Sequence, residues 1–454
     1  MSKKPSKIFT SAFLLGIGAF LSKLLGAIYR IPLTNLLGST GLGLYQLVFP
    51  VYTVLLDFSG AGVPSALSKL IASSKKEEKL KTAHEYLVAS LKLLAILGGA
   101  GAIFMFLFSK PLSMLQGNQM AYKGYIFLAP SILFVSLISC FRGYFQGLMR
   151  MAPTAISQVI EQFVKLSVGL ILVYFLMPNV SNAVAGATTA ITISELVALL
   201  VLFIIYKRKG GGYPLIVKQE RKLLKARIKN VIKVTFPITL IGIILPLSQV
   251  IDSCLVINIL KRYRSDATSL YGLLGGVVTT VVGLPVSVCY GVAVVAIPAI
   301  SSSKAKTSQN KNVTRTILLT LAVAIPSAIC CMAFAPTIVR ILFSRLSGLE
   351  KTTAINLLRL TSINVVLLSL VQTSNAIFIG RGRLYFPVIS LSIGVIVKVV
   401  LNVLLLNQTN LNIYGGAVAV IACYFVVCLI NLSVIFISLV KNANKRTFDS
   451  KRQN

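Results

Sequence analysis

The chain has 454 residues, 56% hydrophobic and only 12% charged, too little polar surface to cover water-soluble domains, so lipid must be its main solvent. One histidine, His84, read in a charged loop, argues against a histidine-based metal or catalytic centre. The seven cysteines, Cys140, Cys254, Cys289, Cys330, Cys331, Cys423 and Cys428, lie in apolar stretches without ligand or disulfide spacing and read as small core residues. A net charge of +34 would suggest nucleic acid in a soluble protein, but here the charge follows a membrane topology.

About 20 apolar residues are needed to cross roughly 30 Å of hydrocarbon. Twelve such spans are predicted, at 8–31, 42–66, 86–108, 124–147, 155–176, 183–206, 231–257, 271–299, 316–342, 354–379, 386–406 and 414–440. The first follows Lys3, Lys4 and Lys7 but is too long for a signal peptide and lacks a small-residue cleavage site, so it reads as an uncleaved helix. After the sixth span, Gly210, Gly211, Gly212 and Pro214 mark a flexible linker. The expected organisation is therefore an N-terminal six-helix lobe (1–210), a cytoplasmic linker (211–230), a C-terminal six-helix lobe (231–440) and a cytoplasmic tail (441–454).

Alternate loops carry the basic residues: the N-terminal tail, 69–81, Arg142 and Arg150, 207–233, 304–315, Arg381 and Arg383, and the stretch from Lys441 hold 31 of the 45 Lys and Arg. The opposite loops hold Lys110, Lys123, Lys261, Arg262, Arg264, Arg345 and Lys351. The positive-inside rule then places both termini in the cytoplasm, with attraction to anionic membrane lipids as a second use of the charge. No nucleic-acid partner is expected.

The halves read as repeats. Leu44 and Tyr45 open a helix that ends near Pro64, and Leu270 and Tyr271 open one that ends near Pro298. Gly147 to Pro153 is followed by Lys165 and then by Gly186 and Ala187; Gly380 to Pro387 is followed by Lys398 and then by Gly416 and Ala417. Six crossings per half relate the halves by an axis along the membrane normal and predict a substrate cleft at their interface. Pro50, Pro130, Pro237, Pro246, Pro285 and Pro326 within spans supply either bends for motion or static kinks.

Ionisable side chains at bilayer depth are turned toward a partner or a wet cavity. The basic ones are Lys23, Arg30, Lys92, Lys165, Arg340, Arg359 and Lys398, and the acidic ones Asp57, Glu161, Glu195 and Asp252. Lys92, Arg340 and Arg359 lie near predicted helix ends and are expected to snorkel to head groups. Glu161 and Lys165, four apart on one helix, share a face and are expected to be able to pair. Lys398 has Gly394 in the corresponding place, so it needs a partner on another helix or an anionic ligand. Arg30 and Asp252 fall at similar depths of the first and seventh helices and are candidates to face each other.

The stretches YRIPLTNLLGSTGLGLYQLVFPVYTVLLDFSGAGVPSALSK (29–69), FRGYFQGLMRMAPTAISQVIEQFVK (141–165), PLSQVID (246–252) and GRGRLYFP (380–387) together resemble the polysaccharide and lipid II flippases that include stage V sporulation protein B. The resemblance runs nearly the length of the chain, within a superfamily that also holds multidrug and toxin extruders. It implies an all-α polytopic fold of two pseudo-symmetric six-helix lobes in the cytoplasmic membrane. It also implies flipping of an undecaprenyl-diphosphate-linked peptidoglycan precursor or polysaccharide unit for cell-wall or spore-cortex synthesis. In lipid II flippases, which carry two further C-terminal helices, arginines of the first and neighbouring helices line the central cavity, and Arg30 matches that role.

The expected substrate-binding set is Arg30, with Lys165 and Lys398 to attract the diphosphate and Gln162 and Asn402 to bond the sugar. Asp252, Asp57, Glu161 and Glu195 are the expected ion-coupling groups or charge pairs. No cofactor or metal is expected; membrane potential, Na+ or H+ are the candidate energy sources, and the lipid-linked oligosaccharide or lipid II is the expected partner of a monomer. The other readings are a multidrug/cation antiporter of the same fold, which calls for a cleft dominated by carboxylates, and a membrane-bound glycosyl transferase. The latter would need catalytic carboxylates in loops whose acids are mainly Asp266 and Glu350.

Overall fold

The computed structural model describes residues 7–74, 79–209, 221–301, 306–383 and 385–451, and every regular element in them is helical. In chain order these are α1 (Lys7–Leu56), α2 (Val63–Ala72), α3 (Lys79–Leu107), α4 (Ser109–Leu115), α5 (Tyr122–Gly147), α6 (Ala152–Leu176), α7 (Val180–Lys209) and α8 (Arg221–Leu260). They continue as α9 (Ala267–Gly272), α10 (Thr279–Ser301), α11 (Lys306–Ala333), α12 (Ala335–Leu342), α13 (Gly348–Thr361), α14 (Ile363–Gly380), α15 (Tyr385–Leu406) and α16 (Ile413–Lys451). Helices satisfy their own backbone groups, which lipid cannot do, and that is why long apolar segments take this form.

Among the described residues, 11 helical stretches are long and apolar enough to cross a membrane. The first contains Gly38, whose φ of 67° breaks α1 into two arms, and those arms account for the first two expected spans. The expected span 354–379 is instead divided at Ser362 into α13 and α14, and only α14 qualifies by length and hydropathy. α13 starts on a capping box in which Ser347 and Glu350 bond each other's backbone N–H. Side chains such as Phe163, Ile171 and Phe175 on α6 are exposed, as a surface solvated by acyl chains requires.

Packing divides the chain into two units, Met1–Val250 and Ile251–Asn454. The division falls inside α8 rather than in the expected linker 211–230, of which residues 221–230 are helical and 210–220 lie outside the described residues. The first part of α8 joins the first unit because Arg227 clamps Glu85 of α3 at 2.7 Å and Gly62 packs on Thr235 and Ile238. In that unit Gly143 and Gly147 of α5 press onto Leu67 and Ile71 of α2, closer than any side chain at those positions would allow. The core around them includes Tyr86, Leu87, Phe141, Tyr144 and Tyr206. His84, expected in a loop, is instead buried on α3 with Nδ1 3.0 Å from the Tyr206 hydroxyl, because α3 starts at Lys79 and brings it under α7. Cys330, expected in the core, is exposed on α11, and Cys254 is half-buried.

Local geometry is repeated in the two units. α5 ends with amides of Leu148, Met149 and Arg150 donating to carbonyls of Tyr144, Gln146 and Phe145. α14 ends with amides of Arg381, Gly382 and Arg383 donating to Ile377, Ile379 and Phe378. Each is a Schellman-type stop with a left-handed residue, Met149 at φ 59° and Gly382 at φ 75°. Likewise α3 passes into α4 through Phe108, and α11 into α12 through Phe334, with φ of −92° and −95°.

A left-handed conformation costs a residue with a Cβ about 1–2 kcal/mol, partly offset by the extra unfolded-state freedom of glycine. Met149→Gly should therefore stabilise the first unit by about 0.5–1 kcal/mol, seen as a raised melting temperature in detergent. Gly382→Met should lower it.

Candidate functional site

The first unit gathers ionisable side chains from α1, α5, α6 and α7. The α5–α6 hairpin sets Arg142 and Ser157 at matching distances from its turn, five residues before Gly147 and five after Ala152. The Arg142 guanidinium donates to Ser157 Oγ at 3.1 Å and reaches one turn deeper to Glu161 Oε2 at 2.8 Å. Gln162 Nε2 donates to the other Glu161 oxygen at 3.0 Å, and Gln162 Oε1 faces Gly26 of α1. Glu161 is thus closed by Arg142 and Gln162, and the expected pair with Lys165 is not formed. A guanidinium can serve the carboxylate while keeping its hydrogen bond to Ser157, which a lysine further along the same helix does not match.

Lys165 instead lies with Nζ 5.7 Å from the centroid of the Tyr29 ring, and Tyr29 is wedged against Gly169 on the same helix. Arg30, the next residue of α1, is half-buried. Among the described residues neither Arg30 nor Lys165 has an ion-pair or side-chain hydrogen-bond partner. Glu161, Glu195 and Arg30 are the charges that act on Lys165.

Glu195 of α7 is buried, with Oε1 accepting from the Tyr52 hydroxyl at 2.7 Å and Oε2 left without a partner. Tyr45 lies within the electrostatic reach of both Arg30 and Glu195 and stacks on Phe49 at 5.7 Å. Tyr29, Tyr45, Tyr52 and Arg142 were not among the expected site residues. Tyr45 and Tyr52, seven apart, two turns on one helix face, were the available signal for the tyrosines. The symmetric spacing about the turn was the signal for Arg142.

In the second unit Lys398 of α15 donates to Asp252 Oδ2 of α8 at 2.6 Å, and Asn402, one turn along, donates to Oδ1 at 2.9 Å. The interhelical partner expected for Lys398 is therefore Asp252, and Asn402 completes the acid's shell rather than standing free for a sugar. Asn402 Oδ1 is buried without a partner. Asp252 is thus engaged within its own unit.

Asp57 starts a π-helical turn, Asp57–Ala61, and lies beside Gly242 of α8, with no hydrogen-bond or ion-pair partner among the described residues. Single π turns favour functional positions because one residue is lifted out of register. Lys92, Arg340 and Arg359 are exposed, as snorkelling side chains should be, and the Lys23 side chain lies outside the described residues. Both loop acids have structural uses. Asp266 accepts two hydrogen bonds from Arg264, at 2.8 and 2.7 Å, which hold its carboxyl below the usual range, and Glu350 caps α13. Among the described residues no group of three or more His, Cys, Asp or Glu is placed to hold a metal.

Removing one member of a well-formed ion pair leaves the other buried and uncompensated. Arg142 and Glu161 retain 16% and 20% side-chain exposure, so Arg142→Ala should cost about 2–3 kcal/mol, below the full penalty for an enclosed pair. Adding Glu161→Gln should restore most of it; thermal unfolding of both variants checks this, and additive losses would contradict the pairing.

Residues 8–304 match the family model described as polysaccharide biosynthesis protein. The chain is 27% identical over 450 residues to the lipid II flippase MurJ of Bacillus subtilis, covering 94% of this chain and 81% of that protein. It is 30% identical over 296 residues to stage V sporulation protein B of the same organism, covering 62% of this chain and 55% of that protein. Two solved structures share the fold at 18% identity: an inward-facing multidrug-resistance MATE transporter of the MOP superfamily (TM-score 0.80; 94% and 96% of the two chains) and the lipid II flippase MurJ in an inward closed conformation (TM-score 0.72; 97% and 93%). With a family match over well more than half its length and an all-α polytopic fold of this type, the chain belongs to the polysaccharide biosynthesis protein family of multi-pass membrane proteins.

Proposed function

We propose that the protein flips an undecaprenyl-diphosphate-linked sugar, a peptidoglycan precursor or a polysaccharide unit, across the cytoplasmic membrane by alternating access, with both termini in the cytoplasm. The reading rests on one observation above the rest: among the described residues Arg30 and Lys165 stand on apolar helices with no ion-pair partner. Cations in that position call for an anion, and a guanidinium binds the oxygens of a diphosphate bidentately. Support comes from the family and from the flippase and sporulation proteins among the relatives. Lys398 is paired with Asp252 in the second unit and is left out of this site. Gln162 and Asn402 are internal ligands of Glu161 and Asp252 and are left out of the proposed substrate contacts. The protein works as a monomer, without an enzymatic step or cofactor.

Energy coupling falls to the acids that no cation closes. Glu161 and Asp252 are held by Arg142 and Lys398, whereas among the described residues Glu195 keeps an oxygen without a hydrogen-bond partner and Asp57 has no partner, so these two are the coupling candidates for H+ or Na+. The same two acids are what favours a multidrug/cation antiporter as the second reading.

Binding of a labelled undecaprenyl-diphosphate disaccharide to purified protein separates the two. Loss of a charge-assisted contact of about 1.5–3 kcal/mol should weaken binding roughly 10- to 100-fold in Arg30→Ala, with a smaller loss in Lys165→Ala. Unchanged affinity in both variants would remove the basic site, and selective loss of a lipophilic cation in Glu195→Gln would turn the assignment to drug export. Orientation has its own test. In a background lacking the exposed Cys330, Lys110→Cys should react with an impermeant thiol reagent from outside intact cells and Lys225→Cys only after permeabilisation.

A further inference from the structure

Lys165 stands midway along the candidate membrane span Ala152–Leu176, and the residues one turn to either side of it on α6 shape its surroundings. One turn before it, Glu161 is engaged by Arg142 at 2.8 Å and by Gln162 at 3.0 Å. One turn after it, residue 169 is glycine, and the Tyr29 ring of α1 fills the space that a side chain there would take. A Cβ on Gly169 would fall 2.6 Å from the Tyr29 hydroxyl and 2.8 Å from Cε2, too close for any substitution that leaves the ring in place. The same ring lies beneath Lys165, with Nζ 5.7 Å from its centroid, inside the range of attraction between an ammonium group and an aromatic face. Gly26, three residues before Tyr29, meets Gln162, three residues before Lys165, so α1 and α6 touch in step along this face.

Tyr29 is 3% exposed, and among the described residues its hydroxyl has no hydrogen-bond partner, so what the side chain offers its neighbours is the ring. A lysine side chain is long and flexible, and ordering it when a ligand binds reduces affinity. A ring that holds the ammonium beforehand removes part of that cost and leaves the charge in place for an anion, whereas a carboxylate there would neutralise it. We propose that Tyr29 is a positioning residue: its ring seats the Lys165 ammonium for an anionic ligand, and Gly169 supplies the gap that admits the ring. The proposal rests on the reading of Arg30 and Lys165 as a diphosphate site and gives that site its support from behind. Arg30 follows Tyr29 in the chain and is among the charges that act on Lys165, so one short stretch of α1 supplies both the second cation and the seat of the first.

The test is a double-mutant cycle read by equilibrium binding of the labelled undecaprenyl-diphosphate disaccharide to purified protein. Tyr29→Leu, which loses the aromatic face, should weaken binding roughly 3- to 10-fold, and Tyr29→Phe, which keeps it, should recover most of the affinity. In a Lys165→Ala background Tyr29→Leu should cost nothing further, because the ring then has no ammonium to seat. Gly169→Ala, which displaces the ring without removing it, should weaken binding as Tyr29→Leu does and be equally silent in the Lys165→Ala background; it carries the test if Tyr29→Leu does not fold. Melting temperatures in detergent identify the variants that fold. A loss that persists in the Lys165→Ala background, or a loss in Tyr29→Phe as large as in Tyr29→Leu, would overturn the positioning role and leave the basic site standing. Unchanged affinity in Lys165→Ala would overturn the role by removing the lysine from the site, and unchanged affinity in Arg30→Ala as well would remove the site itself.

Discussion

An ionised side chain inside hydrocarbon costs several kcal/mol unless a counter-charge, a hydrogen-bond donor or water takes up its field. That cost sorts the intramembrane charges of this protein into groups that hold helices together and groups that are left open. Arg142 with Glu161 joins α5 to α6, and Lys398 with Asp252 joins α15 to α8; in each, a neighbouring amide from Gln162 or Asn402 fills a further carboxylate position. Both pairs are therefore hydrogen-bonded beyond the two charges, the condition under which attraction repays desolvation. Arg30 and Lys165 are not closed in this way, and the electrostatic demand they leave is what an anionic ligand would meet.

The two units show how one backbone plan carries different charge designs. The stops at Phe145–Arg150 and Phe378–Arg383 share their hydrogen bonds and their left-handed residue, and a lysine follows each, on α6 and on α15. Behind the first lysine comes an aromatic ring, from Tyr29; behind the second, a carboxylate from Asp252. Tyrosine steadies an ammonium group without neutralising it, whereas aspartate neutralises it. Repetition of the backbone therefore does not repeat the site.

The fold was legible because hydrophobic length and loop charge are sequence properties: long apolar runs can satisfy their backbone in lipid only as helices. The break at Gly38 and the division at Ser362 were not, since hydropathy averages over both. The intramembrane charges were legible one by one but not as pairs, and Arg142 and the tyrosines beside them were not legible at all. Spacing of four placed Glu161 and Lys165 on one face, yet Arg142, counted as a loop charge, took the carboxylate from a different helix. Lys398 showed by the absence of an acid four residues earlier that it needed a partner elsewhere, and only the bond from α15 to α8 identified Asp252. His84 misled because flanking charges resemble a loop, although a helix starting at Lys79 buries it.

On the function proposed above, the protein must also let go of what it binds, and the first unit holds a buried acid beside its basic pair. Glu195 acts on Lys165 from α7 but is held by the Tyr52 hydroxyl rather than by the lysine, and one of its oxygens stays open. A bound diphosphate and an ionised Glu195 would compete for the same cation, while a protonated Glu195 would leave it to the substrate. On the function proposed above, binding and release at Arg30 and Lys165 would be linked to the charge state of one buried acid, and a proton or cation arriving at Glu195 would change the affinity of the basic pair without any new contact to the substrate. Had Glu195 been closed by an arginine, as Glu161 is by Arg142, its charge would be fixed and that linkage lost.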